Sequence, residues 1–171
     1  MVSAKLRQHF IQKKIAKLLK QQTHKKNGSN KKIFSVGILS DEKLSNQFNL
    51  QDIVSENLEV RNPKLYNYRK FDKNLEKSYK HFSEKDFDWK GEIIDTSLKS
   101  FVDEPLDLLI CFYPKKKTYL QYLTLLSNAT FKVGLANIHN QLFDLEVAVE
   151  MSEIDNFLAE TKKYLKILNK L

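Results

Sequence analysis

The chain's 171 residues, 42% of them hydrophobic, suffice for one packed core, and a single cysteine, Cys111, excludes an internal disulfide and a cysteine-built metal cluster. No run approaches the roughly 20 apolar residues that cross a bilayer, and the closely spaced N-terminal charges leave no hydrophobic stretch for a signal peptide. Ten of the 29 Lys and Arg and none of the 21 Asp and Glu fall in residues 1–32, so the remainder holds two more acids than bases. This division points to a polyanionic partner, because clustered cations replace the counterions that phosphates hold. A lysine-rich, acid-free amphipathic start is also the pattern of an organelle presequence, but Arg7 is its only arginine, and a cytoplasmic location is expected.

Residues 1–22 contain neither Gly nor Pro and are expected to form a basic helical arm. Ile11, Ile15, Leu18 and Leu19 share one face of it, with Lys13, Lys14, Lys17 and Lys20 on the other, so the arm could clamp onto the body with its lysines outward. Residues 23–32 read as a polar linker around Asn27-Gly28-Ser29-Asn30, and residues 33–171 as one α/β domain. Ile33–Leu39 suits a buried strand. Ser40 is the expected N-cap of a following helix, with Asp41 and Glu42 in its first turn and a break near Asn49. Lys64–Phe71 reads as a strand, and Asp72–Phe87 as a helix whose face is Leu75, Tyr79 and Phe82. Phe87–Gly91 is a turn, and Glu92–Asp95 a short edge strand. Leu106–Tyr113 is the clearest strand. Pro114 is expected to open a helix with Tyr119, Leu120, Leu123 and Leu126 on its face. Phe131–Leu135 and Leu145–Val149 are two more strands, and Glu153–Leu171 the last helix. Alternating strands and helices with continuous apolar strands predict a single Rossmann-like layered domain with a mainly parallel sheet, preceded by the basic helix. Its core should include Val36, Ile38, Leu108, Ile110, Leu123, Val133 and Leu158.

Motifs for chemistry are sparse. Four glycines cannot supply a phosphate-cradling loop, and Leu39-Ser40-Asp41-Glu42 stands where a dinucleotide fingerprint would follow the first strand. His9, His24, His81 and His139 have no partners at metal-ligand spacing. There is no nucleophile elbow. Asp95, Asp103, Glu104, Asp107 and Asp144 lie near strand ends, with Asp107 and Asp144 expected at solvated strand starts. No catalytic, cofactor-binding or metal-ligating residue is assigned. Lys115-Lys116-Lys117, placed at the carboxyl end of a strand, forms a second cationic group where open α/β sheets bind ligands.

Leu106-Asp107-Leu108-Leu109-Ile110, Tyr119-Leu120-Gln121-Tyr122-Leu123 and Ala129-Thr130-Phe131-Lys132-Val133-Gly134-Leu135 together resemble a unit of the amino-terminal half of heptosyltransferase-like glycosyltransferases. Those enzymes resemble two Rossmann-like halves with the sugar nucleotide held mainly by the second. The resemblance, over residues 106–135, therefore implies the fold and not the activity. Phe87-Asp88-Trp89-Lys90-Gly91 and Gln141-Leu142-Phe143-Asp144-Leu145 are similar to an uncharacterised family of small bacterial proteins, a likeness that transfers no catalytic residue.

The expected activity is non-catalytic binding of structured RNA, ribosomal RNA first. Lys13, Lys14, Lys17, Lys20, Lys25 and Lys26 are the phosphate contacts, and Lys115, Lys116 and Lys117 a second set. The alternatives are a small transferase or hydrolase using a strand-end crevice near Tyr113, Lys115 and His139, or an adaptor on an anionic membrane surface. Sheet order and oligomeric state are not encoded in any local pattern.

Overall fold

The computed structural model describes residues 4–22, 31–76, 78–138 and 141–171. The linker expected over residues 23–32 lies outside them except for Lys31 and Lys32. Helix α1 (Ala4–Gln22) leads into strand β1 (Val36–Asp41), then α2 (Glu42–Phe48), α3 (Leu50–Leu58) and β2 (Lys64–Tyr68). β3 (His81–Phe82), a 3-10 turn (Glu84–Asp86), α4 (Thr96–Asp103), β4 (Leu108–Phe112) and α5 (Thr118–Leu126) follow. β5 (Phe131–Leu135), β6 (Leu145–Val147) and α6 (Ile154–Ile167) complete the order.

All six strands run parallel in the order β3-β2-β1-β4-β5-β6. This is the Rossmann order, with the reversal of winding between β1 and β4. β4 is buried on both faces along its whole length, which is why it reads as an unbroken apolar run. One face of the sheet receives α4 and α5, with α1 packed along α5: Cys111 meets Thr124, and Tyr66 stacks on Phe101 with ring centroids 4.8 Å apart. The other receives α2, α3 and α6, where Phe112 packs between Phe48 and Phe157. All seven expected core residues, Val36 through Leu158, are buried. Ile11, Ile15 and Leu19 join the same core, so the apolar stripe of α1 is seated on the domain beside α5.

Several boundaries differ from those read in the sequence. Ser40 is not a cap: it is the fifth residue of β1, and its hydroxyl donates to the Phe112 carbonyl at 2.6 Å. Asp41 caps α2 instead, accepting from the Lys43 N–H. The expected break is real, with Asn49 in the left-handed region at φ 48°. Among the described residues of Asp72–Phe87, the expected helix is absent. Asp72 bonds the Asn74 N–H and the chain turns, Leu75 and Tyr79 are exposed, and only Phe82 is buried, within the ring cluster of Tyr66, Tyr68 and Phe87. Local turn chemistry and that cluster outweigh an i, i+4 spacing. Glu92–Asp95 forms no strand beyond one bridge between Phe87 and Ile93.

Candidate functional site

One cationic surface begins with α1. Its docked side is fixed by Ile11, which packs over Gly91, a residue at φ +80° where a Cβ would lie 2.7 Å from Ile11 Cγ1. Glycine is required there twice over, for its backbone and for the approach. Arg7 Nε donates to the Asp88 carbonyl, Gln8 Nε2 to Thr118 Oγ1 at 3.2 Å, and Phe10 meets Trp89 edge-on. Lys14 belongs to this side too, ion-paired with Glu92, so it stands apart from the lysines with which the sequence grouped it. Lys13, Lys17 and Lys20 are exposed and, at i, i+4 and i+7, form one row along the outer side. Lys25, Lys26 and His139 lie outside the described residues.

The second group lies at the end of β4. α5 starts at Thr118, not at Pro114. A helix begun at Pro114 would set three lysines against its positive dipole end. Instead Lys115 and Lys116 occupy an exposed turn, with the Lys115 carbonyl accepting from Gln121 Nε2. Lys117 sits at the cap position, where its side chain accepts no bond from the helix, and its ammonium pairs with Asp41 at 2.6 Å while lying 5.6 Å from the centre of the Tyr68 ring.

Between these elements, at the point where the winding reverses, opens a cleft of about 430 Å³. Gln8 of α1 and Thr118 wall one side, Asp41, Glu42 and Lys43 the end of β1, and Tyr68, Arg69 and Lys70 the end of β2. Lys116, Lys117, Tyr119 and Leu120 complete it. Both carboxylates are engaged, Asp41 by Lys117 and Glu42 by Arg69 at 3.4 Å and His81 at 3.3 Å. Burial lowers the His81 pKa, with Arg69 adding to the effect. Tyr68 and Tyr119 stack with centroids 5.7 Å apart. Burial and then the Glu84 carboxylate, which accepts from the Tyr68 hydroxyl, push the Tyr68 phenol well above its ordinary value.

Of the crevice residues read from sequence, the two described ones, Tyr113 and Lys115, do not line this cleft. Tyr113 is fully buried, its hydroxyl 2.6 Å from Thr124 Oγ1, and Lys115 lies outside the lining. Asp107 is not a solvated strand start. It is 6% exposed and clamps the segment before β1, taking hydrogen bonds from the Phe34 and Ser35 N–H groups and the Ser35 hydroxyl, and an ion pair from Lys31 at 2.7 Å. Asp95 caps α4, and Asp144 accepts from the Lys132 N–H. Lys43, Arg69 and Lys70 carried no sequence signal, because only the sheet order brings their strand ends beside Lys116. Among the described residues, no cluster of His, Cys, Asp or Glu could hold a metal ion, and no helix is long and apolar enough to cross a membrane.

A family model matches residues 7–168, from the first turns of α1 to the end of α6, and describes a family of unknown function, DUF6913. No curated protein and no solved structure matches the chain.

Proposed function

The chain belongs to DUF6913, a family whose description assigns no activity, and we propose from its surface that it is a non-catalytic cytoplasmic protein that docks on structured, ribosomal RNA. The row Lys13, Lys17 and Lys20 on α1 and the turn at Lys115 and Lys116 make the phosphate contacts, and the folded body supplies the shape that selects the site. One observation carries this reading. The apolar stripe of α1 is spent on the body, which holds its lysine row outward on a helix that contains no acid.

The same observation weighs against a membrane surface. An interfacial helix needs its apolar face for the bilayer, and Ile11, Ile15 and Leu19 are buried beneath α1. Fixed cations spaced along a helix suit instead the irregular phosphate surface of folded RNA.

Sedimentation of native lysate at low and high salt tests the proposal. Co-migration with ribosomal particles at low salt that is lost at high salt is the expected result. With about five phosphates neutralised, log K for isolated RNA should fall with log salt at a slope of roughly −3.5 to −4.5. Protein that stays at the top of the low-salt gradient, or floats with anionic liposomes without retaining RNA, removes the basis for the assignment.

A further inference from the structure

We propose that the strand-end cleft is a binding site for a phosphate monoester, contacted by Lys43, Lys70 and Lys116. Five cationic residues line the cleft against two carboxylates, and both carboxylates are already paired within it. Among the described residues no carboxylate pairs with Lys43, Lys70 or Lys116, so three positive charges converge from the start of α2, the end of β2 and the β4–α5 turn. Like charges lining one concave space focus the field there and raise the affinity for an anion. The cleft volume falls in the range of small-ligand sites. α5 adds to the attraction, because Lys117 leaves its first-turn N–H groups without a side-chain cap.

The rest of the lining narrows the ligand class. Tyr68 and Tyr119 stack on each other, Lys117 sits over the Tyr68 ring, and Tyr119 packs against Phe87 at 5.3 Å. The ring faces of this pair are thus largely engaged by their own neighbours, which disfavours stacking of a base. A group with about two negative charges on a compact tetrahedral head, as a phosphate monoester has near pH 7, matches three point-charge ammonium groups. Two sources carry that head: a free sugar phosphate and the phosphorylated end of an RNA chain.

Calorimetric titration of the full chain at fixed salt distinguishes them, with ribose 5-phosphate against ribose, and a short RNA bearing a 5′-phosphate against the same RNA with a 5′-hydroxyl. Charge-assisted hydrogen bonds should favour the phosphorylated member of at least one pair by about tenfold or more. Preference within the first pair alone assigns a metabolite, and within the second alone an RNA end. The exposed double variant Lys43→Gln/Lys70→Gln should lose the preference, whereas Lys13→Gln/Lys17→Gln/Lys20→Gln should keep it. This proposal stands apart from the RNA-docking reading, since ribose 5-phosphate can bind whether or not folded RNA does. Equal affinity within both pairs, or a full preference retained by the cleft double variant, overturns it.

Discussion

Replacing Ile11 by Ala tests whether α1 is part of the folded body or a passenger on it. Ile11 is fully buried against Gly91, and with Ile15 and Leu19 it makes up the buried anchor of α1. An Ile→Ala change in such a site costs about 2–5 kcal/mol, less where neighbours can close the gap. Gly91 has no side chain to fill it, so about 3 kcal/mol is expected. In a domain of this size each kcal/mol moves Tm by about 2–4 °C, which makes the expected fall roughly 6–12 °C by circular dichroism. Trypsin gives a second readout, because cleavage at Lys13, Lys17 or Lys20 needs α1 to open. If opening and reclosing are fast relative to cleavage, the same 3 kcal/mol raises the rate at those sites by about a hundredfold. A Tm within about 1 °C of the parent, together with unchanged cleavage inside α1, would refute the docked arrangement and with it the fixed lysine row.

Three further outcomes follow from the same geometry. Changing Lys13, Lys17 and Lys20 together to Gln should make the salt slope of RNA binding shallower by about 2 to 3, measured by filter retention across a salt series. Asp107→Ala removes the acceptor for the Phe34 and Ser35 donors and the partner of Lys31, and should cost about 2–3 kcal/mol in thermal melts at pH 7. Burial acts to raise the Asp107 pKa, but Lys31 and the Phe34 and Ser35 donors outweigh it and hold the group below the ordinary carboxylate range. Its contribution is therefore complete above the unfolded value of about 3.9 and is lost as pH falls through the lower folded value. The gap between parent and variant should persist at pH 5 and close only in stronger acid. Finally, burial pushes the Cys111 thiol up to about 12, so a thiol reagent at pH 8 should label the chain only after denaturant is added.

The elements legible in the sequence are those whose burial is simple. β1, β4 and β5 are covered on both faces and appear as short apolar runs, with Phe131–Leu135 matching to the residue. Two elements escaped for opposite reasons. Asp72–Phe87 has a helical spacing of large side chains but is shaped by turns and by the ring cluster around Phe82. α4 had a readable signal, Asp95 as cap followed by Leu98, Phe101 and Val102 at helical spacing, within a segment short enough to pass as loop. The lysine row of α1 follows directly from period 3.6, but the ion pair that turns Lys14 inward depends on Glu92, seventy-eight residues away. The cleft was hidden for the same reason on a larger scale. Lys43, Lys70 and Lys116 share one cleft only through the order of the strands, and Gln8 joins them only because α1 docks on α5.

The sheet tapers toward its margins, from six residues in β1 and five in β4 to two in β3 and three in β6. A foreign strand laid against either margin would gain only two or three residues of ladder while fixing its own backbone, an exchange that does not favour addition. Such margins act as a built-in guard against edge-to-edge aggregation. Crowding of many copies along one polymer would therefore raise their local concentration without templating a continuous β-structure between them.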